Sequence, residues 1–288
     1  MRGKIVALSY GIYSVESDGV IYNAPARGLF RKQGVKPTVG DDVEISEQSF
    51  VIQHVYERKT FLKRPPIANI DQMLIIESLK QPEFSYLFAF KYLTYANMNG
   101  VKAKIILTKE DIEDDKKAIK EIMDTFKMMG IDVFTVSNKT KEGVEEVKKF
   151  FNGHVSCLIG QSGVGKSSLI NSIDPTFERR EGEYSYALGR GKHLTKEVIL
   201  LPYEGGYIAD TPGFSSLELD LFKEDLSEYF PGFAELFTKC YYSNCLHISE
   251  NKCAVKEKVE AGLYPRIAYD CYLKLSEQSI FKSKRHER

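Results

Sequence analysis

Residues 154–168 read His154-Val155-Ser156-Cys157-Leu158-Ile159-Gly160-Gln161-Ser162-Gly163-Val164-Gly165-Lys166-Ser167-Ser168. An apolar run, HVSCLIG, passes through a glycine-rich turn into KSSLINSI. From Gly160 onward the spacing is G-x-x-x-x-G-K-[ST], and a strand before it with a helix after it is the context in which that motif has meaning. Glycines let backbone N–H groups turn inward around phosphates, and a helix N-terminus adds positive potential there. In such a loop Lys166 reaches the β- and γ-phosphates and the Ser167 hydroxyl ligates Mg²⁺. The nucleotide-contacting stretch is therefore Gly160, Gln161, Ser162, Gly163, Val164, Gly165, Lys166, Ser167 and Ser168.

Outward from this loop, two further motifs fit the same chemistry. Asp210-Thr211-Pro212-Gly213 follows the strand pattern GGYIAD. An Asp ending a strand downstream of a phosphate loop suits Mg²⁺, directly or through water, and the Gly213 N–H is placed to sense a γ-phosphate. Alone, D-x-P-G is only a turn signal. Thr108-Lys109-Glu110-Asp111 ends the strand pattern KAKIIL. Guanine offers two neighbouring donors, N1–H and the 2-amino group, and a carboxylate such as Asp111 accepts both. Adenine has neither the 2-amino group nor a donor at N1, and sites built around a hydrogen bond reject analogues that cannot form it. In isolation T-K-x-D also reads as a solvated helix start. Ser137-Asn138-Lys139 ends the next strand, where its backbone is placed to complete a base pocket.

The wider chain divides by rhythm. Its 288 residues exceed what one core usually supports. Residues 1–65 hold short runs rich in Val, Ile, Tyr and Phe with turn signals between them, which predicts a small OB-like β-barrel. The Pro65-Pro66 pair cannot continue a sheet or enter a helix interior, which puts a boundary there. Residues 66–220 alternate strands and helices: IDQMLIIES, FSYLFAFKYLTYANMNG, KAKIILTK, a charged helix over 110–130, IDVFTVS, KEGVEEVKKFF, then the phosphate loop. That alternation predicts a parallel α/β sheet, whose ligands bind beyond the strands' C-terminal ends. Residues 221–288 read as mostly helical, with a basic C-terminal helix and tail.

Composition excludes several classes. Apolar residues are 43% and charged residues 28% of the chain, so collagen-like and wholly disordered readings fail. No apolar run reaches the roughly 18 residues of a membrane helix, and the first residues lack a signal-peptide pattern. A soluble cytoplasmic protein, expected to be monomeric, is the resulting expectation. The five cysteines form no secreted disulfide framework. Cys240, Cys245, His247 and Cys253 place three sulfurs and an imidazole within fourteen residues, a set suited to one structural tetrahedral Zn²⁺. Cys157 and Cys271 read as core thiols.

With these residues in view, the chain resembles the guanine-nucleotide switch proteins, but in an unusual order. The base motif at 108–111 and the Ser137 loop precede Gly160, where ordinary members have the phosphate loop first. This is similar to a circularly permuted P-loop GTPase. With a barrel in front and a cysteine cluster behind, the whole chain resembles the small-ribosomal-subunit-dependent GTPase A family, RsgA. That resemblance implies a three-part chain of OB-like barrel, permuted GTPase domain and zinc-binding domain. It implies GTP hydrolysis to GDP and phosphate with Mg²⁺, slow alone and stimulated by the small ribosomal subunit. Partners would be that subunit and its rRNA, and hydrolysis would time release late in assembly. Gly189-Arg190-Gly191-Lys192-His193-Leu194-Thr195 is similar to the family's switch loop G-R-G-[KR]-H-T-T, which makes Thr195 a second Mg²⁺ ligand although Leu194 departs from the pattern. Many switch GTPases place Gln after D-x-x-G to orient water; here that residue is Phe214. His193 is the candidate to replace it, with contact to RNA or solvent as the alternative role.

Equal numbers of basic and acidic side chains, 40 each, conceal segregation. ERKTFLKRPP, residues 179–196 and the tail IFKSKRHER are basic, and the segment at 110–132 is acidic. Basic stretches in all three parts suit an RNA surface. Tyr10, Tyr13, Tyr22 and Phe30 either stack on bases or fill the barrel core. A non-catalytic GTP-switched RNA-binding protein is the competing reading, kept open by Phe214. A P-loop ATPase or kinase is opposed by T-K-x-D.

Overall fold

The computed structural model describes residues 1–9, 11–26, 28, 30, 35–112, 115–177, 198–210 and 217–278. Alternating apolar residues build the first sheet. β1 (Arg2–Ser9), β2 (Ile12–Ser17), β3 (Val20–Pro25), β4 (Asp42–Ile45) and β5 (Ile52–Val55) lie in the order β3-β2-β1-β4-β5. A parallel bridge between Ala26 and Ile52 joins the two edge strands and closes the sheet into an OB-like barrel. Ile5, Val15, Val43, Ile45 and Ile52 fill it, each at most 1% exposed. Tyr13 and Phe30 belong to this core, while Tyr22 stacks on Phe50 with ring centroids 5.5 Å apart. Tyr10 lies outside the described residues.

The proline pair turns a hairpin instead of ending all pairing. β6 (Phe61–Lys63) and β7 (Pro66–Ala68) are antiparallel, with Lys63 opposite Pro66. Pro66 is the first residue of a strand in a two-stranded ribbon, where its missing N–H costs no ladder bond.

The second sheet has six strands in the order β10-β9-β8-β11-β13-β12. They are β8 (Gln72–Ser78), β9 (Lys102–Thr108), β10 (Val133–Thr135), β11 (Val155–Ile159), β12 (Ile199–Tyr203) and β13 (Gly206–Asp210). All residues of β8 and β11 are buried, as central strands of a covered sheet require. The sheet departs from the all-parallel expectation at one edge, because β12 pairs antiparallel with β13. Glu204 and Gly205 join them with positive φ, so a tight hairpin connects them where a crossover would need a dozen residues.

Among the described residues, four helices connect these strands. α1 (Tyr86–Met98) starts at Ser85, whose side chain accepts from the Phe88 N–H. The charged segment after β9 does not form one helix. A 3₁₀ turn covers Glu110–Ile112, and α2 (Lys116–Lys127) begins only where Asp115 caps the N–H groups of Lys117 and Ala118. α3 (Val144–Lys148) precedes β11, and α4 (Lys166–Ile173) follows the phosphate loop.

The last region is helical as expected, with α5 (Leu226–Tyr229), α6 (Ala234–Phe237), α7 (Ala254–Glu260) and α8 (Arg266–Gln278). It joins the sheet domain through aromatic rings. Phe90 of α1 packs on Phe230 at 5.4 Å, and Phe230 contacts Phe233 at 4.9 Å and Tyr272 at 5.3 Å. The barrel meets the β12–β13 hairpin, where the Tyr207 hydroxyl donates to Glu16 at 2.5 Å. Among the described residues no helix is long and apolar enough to cross a membrane.

Candidate nucleotide site and metal centre

The phosphate-loop strand β11 lies between β8 and β13, and the loop leaves its C-terminal end. Backbone crowding explains Gly160: a Cβ there would lie 2.1 Å from the Ile76 carbonyl oxygen of β8. Gly165 caps α4 at φ +97°, a conformation that L side chains rarely adopt. Its carbonyl accepts the first helical bond, from Leu169 at 2.8 Å. Val164 is buried, whereas Ser162, Gly163, Ser167 and Ser168 are exposed at the rim. The Lys166 ammonium folds over the loop, donating to the carbonyls of Gly160 at 2.6 Å and Gln161 at 2.7 Å.

The base motif meets this loop despite its distance in sequence. The Thr108 hydroxyl is buried and donates to the Val164 carbonyl at 2.5 Å. Lys109 adopts φ +62° and sends its ammonium to the Gly163 carbonyl at 2.9 Å and also to the Gln81 carbonyl. Asp111 stands on the exposed 3₁₀ turn, and the Ser137 hydroxyl donates to its Oδ1 at 2.8 Å. That hydroxyl also accepts from the Thr140 N–H at 3.0 Å, so Ser137 both shapes its loop and aims the carboxylate.

The sequence does not signal the turn after β8, and at Asn138 it signals the backbone but not the side chain's role. The turn after β8 supplies the Gln81 carbonyl, and Ser78 donates to the Pro82 carbonyl at 2.6 Å to hold that turn. The Asn138 amide reaches the Gly165 carbonyl at 3.4 Å, and its Oδ1 is buried without a hydrogen-bond partner. The Lys109–Gln81 and Asn138–Gly165 contacts join segments from different parts of the chain, which no spacing rule announces.

For Mg²⁺ the fold brings two of the three expected positions, Ser167 and Asp210, to one rim. β13 pairs with β11, with Ala209 opposite Cys157, so Asp210 ends its strand beside the start of the phosphate loop. Ser167 lies exposed in the first turn of α4. A serine and an aspartate are residue types whose oxygens a nucleotide-bound Mg²⁺ takes. The Asp210 side chain, Gly213, Phe214, His193, Leu194 and Thr195 lie outside the described residues.

The second centre is complete. One ligand atom each from Cys240, Cys245, His247 and Cys253 lies within 4.8 Å of the others. His247 Nδ1 faces Cys240 Sγ at 3.5 Å and Cys253 Sγ at 3.3 Å. Ligand pairs about 3.5–3.8 Å apart are what a tetrahedral zinc with sulfur at ~2.3 Å and nitrogen at ~2.1 Å requires. His247 has φ +57° and no exposed surface, and its Nε2 has no hydrogen-bond partner. Burial pulls the imidazole down to about 4, which keeps it neutral and able to ligate. The Phe233 ring packs against it at 5.3 Å, and the Glu250 carboxylate accepts the N–H groups of Leu246 at 2.8 Å and Ile248 at 2.9 Å. Those bonds hold the ligand loop.

A phosphate loop in the middle of the sheet, with its base motif earlier in the chain, defines a circularly permuted P-loop GTPase. The sequence matches the RsgA GTPase family over residues 55–220 and the RsgA N-terminal domain over residues 2–50. The chain belongs to the RsgA family of GTP hydrolases. A relative from Geobacillus sp. (strain WCH70), named small ribosomal subunit biogenesis GTPase RsgA, is 42% identical over 96% of this chain and 97% of its own. One of the same name from Staphylococcus carnosus is 37% identical over 99% of both chains. Among solved structures, YjeQ from Thermotoga maritima is similar at 33% identity and TM-score 0.83, covering 96% of this chain and 97% of that one. YloQ, described as a circularly permuted GTPase, is similar at 33% identity and TM-score 0.80, covering 96% and 94%.

Proposed function

We propose that this chain hydrolyses GTP during biogenesis of the small ribosomal subunit, binding that subunit and leaving it when GTP is spent. The observation that carries the reading is the clasp of Thr108 and Lys109 onto the phosphate loop, which joins guanine selection to phosphate binding in one pocket. In it, Asp111 and the Ser137 loop read the base, residues 160–168 hold the phosphates, and Lys166 neutralises the charge that develops on transfer. Ser167, Asp210 and Thr195 hold Mg²⁺, and Gly213 senses the γ-phosphate. His193 orients the attacking water in place of the residue occupied by Phe214. Residues 1–65, 66–220 and 221–288 act as barrel, GTPase domain and zinc domain. The barrel and zinc domain dock on rRNA, and the protein works as a cytoplasmic monomer.

The basic stretch before the GTPase domain contributes less free charge to RNA than its sequence suggests. Arg58 pairs with Asp41, Lys63 with Asp220 and Arg64 with Glu218. The test is steady-state turnover of GTP and ATP, with and without purified small subunits. GTP turnover that rises with subunits, and no ATP turnover, is expected; equal turnover of both nucleotides overturns the reading. Unchanged subunit-stimulated kcat in His193→Ala removes that residue from the chemistry.

A further inference from the structure

Glu77 follows the apolar run Met73–Ile76 of β8. It is the sixth residue of β8, between Ile76 and Ser78, and its side chain has no exposed surface. Neither carboxyl oxygen has a hydrogen-bond partner. Its main chain lies under both halves of the nucleotide site. The preceding Ile76 carbonyl abuts Gly160, and the Glu77 carbonyl accepts from the Thr108 hydroxyl at 3.3 Å. A buried carboxylate without hydrogen bonds or a contacting cation is costly, and such groups take up a proton instead.

The charged group that acts on it is Lys166, at the start of α4. From α1 the ionisable neighbour is Tyr92, a buried phenol whose own ionisation Glu77 opposes. The one titratable residue of β11, Cys157, pairs with Met73, four residues from Glu77. From the end of β9, the Lys109 ammonium is engaged by the Gly163 and Gln81 carbonyls. Burial pushes the Glu77 carboxyl up to about 7, with Lys166 drawing it back. In the free protein burial therefore favours the neutral acid, and Lys166 is the charge that favours its ionised form.

We propose that Glu77 is a proton-binding site beneath the phosphate loop, and that a nucleoside diphosphate binds there together with one proton taken from solvent onto the Glu77 carboxyl. The proposal rests on the reading of residues 160–168 as the nucleotide site. Phosphate groups add negative charge above the loop and engage Lys166, so both effects raise the carboxyl's proton affinity in the complex. The sign follows. Below the free-state value the group is already neutral and affinity is at its full level. Above it, binding must draw a proton from solvent, and affinity falls by up to about tenfold per pH unit until the bound-state value is reached.

The experiment is calorimetry of GDP binding at fixed Mg²⁺, from pH 6 to 9, in buffers of differing ionisation enthalpy. Wild type is compared with Glu77→Gln and Glu77→Leu, so that titration of the GDP phosphate itself is common to all three. Wild type is expected to take up more protons above pH 7 than either variant. Its affinity is expected to fall about tenfold further between pH 7 and 8.5. Identical proton uptake and pH profiles in wild type and a folded variant overturn the inference. Absence of GDP binding in wild type overturns instead the assignment of residues 160–168. If neither variant folds, infrared difference spectra of wild type decide the matter. Growth of a protonated-carboxyl band on GDP addition at pH 7.5 supports the inference, and no such band overturns it.

Discussion

Lys109 donates to the Gly163 carbonyl at 2.9 Å, joining two segments 54 residues apart in the chain. The same ammonium holds the Gln81 carbonyl, so three loops at the C-terminal rim of the sheet close around one cation. Lys109 is half-buried, and its positive φ points the side chain back across the rim. Charge-assisted bonds of this kind contribute about 1.5–3 kcal/mol each. Lys109→Met is expected to weaken GDP and GTP binding alike, by about tenfold to a hundredfold. Fluorescent-nucleotide titration checks this, and loss confined to one nucleotide contradicts a purely architectural clasp.

In the proposed site, base choice rests on Asp111. Ser137 fixes its Oδ1 at 2.8 Å, which turns a flexible surface carboxylate into an oriented acceptor. Asp111→Asn presents a donor in place of one acceptor, so GTP affinity is expected to fall about a hundredfold. Xanthosine triphosphate carries a carbonyl where guanine has its 2-amino group, and its affinity is expected to rise in the same variant. Competition between the two nucleotides measures the exchange.

The cysteine centre predicts a stability effect that extends beyond its own loop. Phe233 packs on both His247 and Tyr272, and Phe230 carries the contact to Phe90 of α1. Cys253→Ala is expected to lose zinc, because three ligands leave a fourth position open. Hydrogen exchange should then rise across residues 226–278 and in the helix at 86–98. Metal analysis of the wild type should find one zinc per chain, released by a strong chelator with loss of thermal stability.

Within the barrel, Arg58 meets the fully buried Asp41 through Nε at 2.7 Å and a second guanidinium nitrogen at 2.9 Å. Removing the cation leaves a buried carboxylate with only the Thr38 N–H, at 2.8 Å, as partner. Arg58→Ala is expected to cost about 3 kcal/mol in denaturant unfolding. Arg64→Ala, which breaks an exposed pair with Glu218, is expected to cost under about 1 kcal/mol.

Much of this was legible from local pattern. Residues 155–159 followed by 160–173 specify strand, phosphate loop and helix, because apolar alternation, glycine spacing and a helix start are all short-range signals. Tight ligand spacing made Cys240, Cys245, His247 and Cys253 readable in the same way. The antiparallel β12 was not, since an edge strand has the same composition whichever way it runs. Nor was the hairpin at Pro66, where proline's lost donor matters only if a neighbour asks for it. The break between Glu110–Ile112 and the helix from Lys116 also escaped, although Asp115 is a readable cap. Glu77 offered a signal, a carboxylate following an apolar run, but sequence cannot say whether such a group meets water.

The sequence by itself determined the chemistry available to this protein: a phosphate loop, the T-K-x-D carboxylate, a cluster of three cysteines and a histidine, and the inverted order of the first two. The motifs depend on residue type and short spacing, and their order only on where along the chain they fall. Only the tertiary structure decided that Lys109 would hold Gly163, that Arg64 would spend its charge on Glu218, and that Glu77 would sit dry under the site. Each joins distant segments or depends on exclusion of water, and both are properties of the packed chain rather than of any stretch of it.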